Sequence, residues 1–243
     1  MKELVTVVVP VYNSRLTPFE EKMLEQCTAT LVGFPILFIS EDNLDLSGLK
    51  EKYPDCTQYT FDSKYFESRS ALSRLLLTED FYERFDWSEF ILLFECNSYV
   101  YRNELRYWCH QGYDLIQAAP TDLDRSPSLW HSITSISRAK VLSAGSVTEL
   151  EGSGISLRRV EKLRKALNKY KREAYQYRNK SESLKNDSLF WETEMNKGWP
   201  SLQIPTPIVR DRFALYANSK TFEAVKPFAL TGLTEKDTYQ GID

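Results

Sequence analysis

Glu95-Cys96-Asn97-Ser98 is the stretch of this 243-residue chain that first looks built for chemistry. It follows Ile91-Leu92-Leu93-Phe94 and precedes Tyr99-Val100-Tyr101, so an acid, an amide and a hydroxyl interrupt a run that otherwise reads as a buried strand. Two other apolar runs also end in polar residues: LVTVVVPVY (4–12) passes into Asn13-Ser14, and FPILFIS (34–40) into Glu41-Asp42-Asn43. In open α/β sheets, ligands bind outside the carboxyl ends of the strands, where the strand order reverses. Three polar strand ends, with Tyr12 able to stack on a base, therefore predict a nucleotide pocket lined by Pro10, Tyr12, Asn13, Glu41, Glu95, Asn97 and Ser98. Glu95 and Asn97 point to one sheet face if the strand stays regular. Each strand end taken alone also reads as a strand entering a turn, and Glu95 as a carboxylate paired with a nearby Lys or Arg.

The elements that must position these residues follow from periodicity. The β-branched run 4–12 predicts a parallel strand buried on both faces. TPFEEKMLEQCTATL then carries Thr17 as N-cap, Pro18 at the first helical position and Glu20 three residues on, which predicts a helix and, with 34–40, a βαβ unit. CTQYTF (56–61) reads as a strand and SRSALSRLLLTEDFYERF (68–85) as a helix or helix pair. EFILLFECNSYVY (89–101) reads as one strong strand, NELRYWCHQG as a short helix stopped by Gly112, YDLIQAAP (113–120) as a strand, and SGISLRRV as a strand turning into a helix. Residues 158–180 read as helical, with ten Lys or Arg against two Glu. The expected fold class is α/β, with a mostly parallel sheet flanked by helices. A single domain 1–243 is expected, with a nucleotide-binding half (1–120), an acceptor-side half (121–243) and an irregular C-terminal part.

Composition narrows the chemistry. Four cysteines at irregular spacing with no C-x-x-C pair, and only two histidines, argue for reduced thiols and against a zinc site. A net charge of −3 gives no reason to expect nucleic-acid binding. MKELVTVVVPVYNS lacks the features of a signal peptide, and no stretch is long and apolar enough to span a bilayer, so a cytoplasmic location is expected.

FYERFDWSEFILLFECNSYVY, GYDLIQAAP, GSGISLRRV and NDSLFWET are similar, in order and spacing, to segments of a bacterial family of glycosyltransferase-like proteins. That family is usually known only as a domain of unknown function and is expected to adopt the GT-A nucleotide-sugar fold. The resemblance covers about four-fifths of the chain and extends weakly to PFALTG (227–232). It implies transfer of a sugar from a nucleotide-activated donor to a saccharide or lipid-linked saccharide acceptor, in bacterial surface-polysaccharide assembly. A catalytically degenerate homologue that binds a nucleotide sugar or a partner is the alternative.

Position by position, the resemblance also marks departures. The family's strand aspartate, which helps hold a divalent cation against the donor diphosphate, falls on Asn97, and a C-terminal histidine falls on Thr231. A glutamate–aspartate pair becomes Asn186-Asp187, and an asparagine–glycine–glycine run becomes Gly152-Ser153-Gly154. Mg²⁺ or Mn²⁺ wants carboxylate oxygens, so weak or no metal dependence is expected. The resemblance makes Asp187 the candidate base of an inverting transfer, Trp191 an acceptor-stacking ring, the Gly152–Gly154 turn a donor contact and Arg158 a partner for the diphosphate. From the residues alone, Asp187 reads first as a helix N-cap, Trp191 first as core, and Arg158 first as the start of a solvated basic helix. That helix, 158–180, reads first as solvated with a core-facing stripe and second as a peripheral contact for anionic lipid on the inner membrane face.

Overall fold

The β-branched run near the N-terminus forms β1 (Glu3–Pro10), at the centre of a six-stranded sheet in a computed structural model that describes residues 2–118, 154–179, 187–195, 201–217 and 226–237. The chain continues through α1 (Pro18–Thr30) to β2 (Ile36–Glu41), and through α2 (Ser47–Lys52) to β3 (Thr57–Phe61), each strand parallel to the one before. It then recrosses β1 by way of α3 (Arg69–Leu75) and α4 (Glu79–Glu83), and places β4 (Ser88–Phe94) parallel to β1 on its other side. Beyond β4 lie β7 (Ile155–Arg159), antiparallel to it, and β6 (Leu115–Gln117) at the edge, giving the order β3-β2-β1-β4-β7-β6. The expected mixed, mostly parallel α/β sheet is the architecture observed.

Both faces of this sheet are covered, which is why β1 is apolar without interruption. Val5, Val7 and Val9 pack with Met23, Leu24 and Cys27 of α1, whereas Val8 faces the other way with Leu72, Phe81 and Tyr82 of α3 and α4. The α1 start is the expected capping box: the Thr17 hydroxyl accepts from Glu20 N (3.2 Å) and Glu20 Oε2 accepts from Thr17 N (2.9 Å).

Two expectations change. EFILLFECNSYVY is not one strand: β4 stops at Phe94, residues 95–98 turn, and β5 (Tyr99–Val100) joins a second sheet with β9 (Ala229–Thr231) and β8 (Ala214–Tyr216) in the order β5-β9-β8. The basic stretch 158–180 is not one helix either. Arg158 and Arg159 end β7, and the helical residues divide at Tyr170 into α6 (Val160–Lys169) and α7 (Lys171–Asn179). The other α-helices among the described residues are α5 (Leu105–Cys109), α8 (Asp187–Thr193) and α9 (Pro207–Phe213).

Candidate functional site

Strand order reverses between β1 and β4, so their carboxyl ends form the switch-point crevice. Val8 and Leu93 are register partners. After Pro10, Val11 N still donates to Ile39 O (2.8 Å), and Tyr12 and Asn13 then leave the sheet. On the other side, Glu95 N donates to Gly154 O (2.7 Å), and Ser98 N donates back to Glu95 O (3.0 Å), closing a turn. A small cavity here is lined by Pro10, Tyr12, Asn13, Leu16, Glu20, Arg69, Glu95 and Cys96. Glu41 ends β2, on the far side of β1 from β4, and is not among this cavity's described lining residues.

Arg69 is the residue that sequence reasoning missed. It is the first residue of α3, after Ser68, whose hydroxyl accepts from Ala71 N (3.1 Å), and its Nε lies 3.2 Å from Glu95 Oε2. Glu95 is buried and thus has the cationic partner that was one of its two readings. The Tyr12 hydroxyl is buried in the same place, with no hydrogen-bond partner among the described residues. Burial, then the Glu95 carboxylate, hold its pKa well above the usual tyrosine value. Burial likewise pushes the Cys96 thiol far up, with Glu20 and Glu95 adding to the effect, so Cys96 is no nucleophile at neutral pH.

The turn's other residues form a neutral cluster. Ser98 Oγ donates to Asn97 Oδ1 (3.3 Å) and lies 2.9 Å from Thr231 Oγ1, which the Tyr99–Leu230 pairing of β5 with β9 brings alongside. Leu233 N donates to Asn97 O (2.9 Å). Gly154 closes the cluster with φ +54°; a Cβ there would land on Thr231 Oγ1 and 3.3 Å from Asn97 Oδ1. Where the resemblance implies Mg²⁺ or Mn²⁺, the donors among the described residues are therefore one amide and two hydroxyls bonded to one another, plus Glu95, which already faces a guanidinium, and Glu20, which accepts from Thr17 at the start of α1. Among the described residues, no group of three or more His, Cys, Asp or Glu could hold a metal ion. This donor set does not fit a hard dication.

Arg158, Asp187 and Trp191 lie elsewhere. The two-residue period of β7 turns Ser156 and Arg158 onto the face covered by α3, α4 and α8. There, fully buried, Arg158 Nη2 meets Asp187 Oδ2 at 2.6 Å, Nε donates to Ser156 Oγ (2.8 Å) and Nη1 to Tyr82 Oη (3.1 Å). Asp187 Oδ1 accepts from Ser73 Oγ (3.0 Å). Burial alone would lower the Arg158 pKa, but Asp187 and Tyr82 more than offset it and the guanidinium stays charged. Asp187 as placed is an ion-pair partner rather than a base open to an acceptor, and Arg158 is a core strand residue rather than a diphosphate ligand. Trp191 has no solvent exposure and meets Phe190 edge-on (4.9 Å between centroids), so its core reading holds over acceptor stacking. Gly152 and Ser153 lie outside the described residues.

The Tyr82 hydroxyl, which donates to Leu76 O, is raised by burial from 10.0 to about 12, with Arg158 pulling the other way. A group raised in the folded state contributes fully below its unfolded pKa and loses that contribution as pH climbs through the folded value. Stability in urea titrations is therefore expected to fall between pH 10.0 and about 12, and to fall less over that window in Tyr82→Phe.

A family model described as "Protein of unknown function (DUF5672)" matches residues 55–230. No curated protein matches the chain in sequence. Among solved structures, the chain is similar to the galactosyltransferase LgtC in complex with donor and acceptor sugar analogs: TM-score 0.56, 13% identity, 93% of this chain and 86% of that one. It is also similar to mouse xyloside xylosyltransferase 1 in its apo form: TM-score 0.53, 10% identity, 96% of this chain and 98% of that one. At such identities the likeness is one of fold, and the fold is the GT-A fold of glycosyltransferases.

Proposed function

We propose that this chain, which belongs to the DUF5672 family of proteins of unknown function, is a glycosyltransferase-like protein that receives a nucleotide-activated sugar in the crevice between the ends of β1 and β4. The observation that carries this reading is the convergence of Tyr12, Asn13 and Glu95 on one cavity at the switch point of a GT-A sheet. Tyr12 and Asn13 are assigned to the nucleoside side, and Glu95 with the Asn97–Ser98 turn to the diphosphate and sugar side. The transfer takes a saccharide or lipid-linked saccharide acceptor, and its place is bacterial surface-polysaccharide assembly at the inner membrane face. The stripe of Val160, Leu163, Ala166 and Leu167 is buried on the core, which leaves the charged faces of α6 and α7 for any contact with anionic head groups. No helix among the described residues is long and apolar enough to cross a membrane.

A second reading, a homologue that binds donor without transferring it, is favoured by the surroundings of Asp187, whose Oδ2 accepts from Arg158 and whose Oδ1 accepts from Ser73. Binding and turnover against a panel of nucleoside diphosphate sugars, with EDTA or Mn²⁺, separates the two. The transferase reading expects turnover that survives EDTA. Binding without turnover or donor hydrolysis would leave the second reading, and no binding of any donor would remove both.

A further inference from the structure

In α7, Lys171, Ala174, Tyr175 and Arg178 recur at positions i, i+3, i+4 and i+7, so one face of the helix carries two cations and an aromatic ring. That face lines a cavity of about 530 Å³, set against α3, α4 and α6, which shares no lining residue with the crevice. Small-molecule sites typically enclose roughly 300–1,000 Å³. Leu77, Leu167 and Ala174, all buried, give this one an apolar base.

Three cations on its wall lack a close carboxylate among the described residues. Lys171 is exposed and makes no ion pair there. Arg178 donates from Nη1 to Leu77 O (3.1 Å), a neutral acceptor that leaves its charge intact. Arg74 donates from Nη2 to Lys64 O (3.1 Å), lies 3.7 Å from the exposed Glu67, and has a buried Nε with no acceptor. Lys64, by contrast, is paired with Asp62 at 2.6 Å. Like charges gathered on one concave wall repel one another and focus their field into the cavity, so an anion is the occupant that relieves them. Guanidinium forks suit the planar or tetrahedral oxygens of a carboxylate or a phosphate.

The rest of the wall selects what the anion is attached to. Tyr65 and the exposed Tyr175 offer flat apolar faces with polar tips. Glu79 and Asp80, in the first turn of α4, add carboxylates, which only accept; Glu79 already takes Asn168 Nδ2 at 3.2 and 3.0 Å. Carboxylates repel a bare phosphate and an anionic bilayer, and a flat bilayer does not fill a concave wall. They do accept from the hydroxyls of a sugar.

We propose that this cavity binds an anionic saccharide, with Arg74, Lys171 and Arg178 meeting its carboxylate or phosphate and Tyr65, Tyr175 and Asp80 meeting its rings and hydroxyls. The proposal does not depend on what the crevice between β1 and β4 binds.

Ligand-observed NMR titration of the full chain tests it with glucuronate, glucose 6-phosphate and a hyaluronan tetrasaccharide. Glucose, cellotetraose and inorganic phosphate are the controls, and vesicles containing phosphatidylglycerol form a separate arm. At least one charged saccharide is expected to bind about tenfold or more tighter than its neutral counterpart and than inorganic phosphate, the discrimination that charge-assisted hydrogen bonds give. Raising the salt should weaken that binding. Arg178→Met should cost about tenfold in affinity, and Tyr175→Ala should weaken charged and neutral saccharides alike. Lys171→Glu should weaken the charged ligand alone and, having no described partner to lose, keep its melting temperature; it decides the matter if Arg178→Met fails to fold. No charged saccharide bound at about 10 mM, or affinity unchanged in Lys171→Glu, overturns the proposal. Inorganic phosphate bound as tightly as glucose 6-phosphate overturns the saccharide assignment. Vesicle binding lost in Lys171→Glu, with no saccharide bound, gives these cations to a lipid surface and overturns it as well.

Discussion

Replacing Asp187 by Asn is expected to destabilise the protein by about 3–5 kcal/mol, the cost of stranding one partner of a buried ion pair. Arg158 has no solvent exposure, and its Nη2 lies 2.6 Å from the Asp187 carboxylate, so the amide leaves a charged guanidinium facing a neutral oxygen. Measured against the roughly 5–15 kcal/mol that a folded domain commands, that is a large fraction. At about 2–4 °C per kcal/mol for a chain of this size, thermal unfolding should shift down by roughly 10 °C. Asn can still accept from Ser73 Oγ, which places Asp187→Asn toward the milder end; Ser73→Ala, losing one hydrogen bond to the carboxylate, should cost only about 1 kcal/mol. Adding Arg158→Met to Asp187→Asn removes the stranded charge, so the double variant should be more stable than the sum of the single losses implies. The same substitution separates the two roles the sequence allows. A catalytic base would lose turnover at an unchanged melting temperature; a drop of several degrees with folded-state donor affinity retained marks the ion pair. A melting temperature within about 1 °C of the parent would contradict the charged pair.

What was legible beforehand was local. The capping box at Thr17 and Glu20, the apolar run of β1 and the passage of β7 into α6 each depend on a few neighbouring residues, and all three stand as read. The crevice was legible because polar residues at the ends of apolar runs are rare enough to notice, and topology then brought Tyr12 and Glu95 together. The break of EFILLFECNSYVY into two sheets was not legible. It is set by Gly154 O capturing Glu95 N and by β9 capturing Tyr99, partners 59 and 131 residues away in the chain. Arg158 was misplaced for a related reason: read as a helix start it is a surface cation, but as the fourth residue of β7 its side chain turns into the core. Its partner Asp187 carries no local sign of that pairing. Arg69 looked like any helical arginine, because its contact with Glu95 depends on where the crossover from β3 to β4 sets down α3.

Gly154→Ala is expected to be the most damaging small substitution in the crevice, by a route that involves no charge. The position has φ +54°, which costs an L-residue about 1–2 kcal/mol, and the new Cβ would also occupy the place of Thr231 Oγ1. Overpacking of that kind adds about 1–3 kcal/mol, so a total near 2–5 kcal/mol should appear as a lowered urea midpoint. Thr231 cannot yield without disturbing Ser98, whose Oγ is 2.9 Å from Thr231 Oγ1 and in turn bonds Asn97 Oδ1. The strain therefore passes into the turn that carries Glu95, whose N–H is fastened to the Gly154 carbonyl. Gly154→Ala should accordingly weaken nucleoside diphosphate binding as well as the fold, although residue 154 offers a ligand no side chain. Adding Thr231→Ala removes the clashing hydroxyl but leaves a Cβ 3.1 Å from the new methyl and φ unchanged, so rescue should be partial. Full rescue would mean that the hydroxyl alone carries the strain. No loss in the single variant would mean that Gly154 and Thr231 do not meet, and that the neutral cluster does not hold the turn.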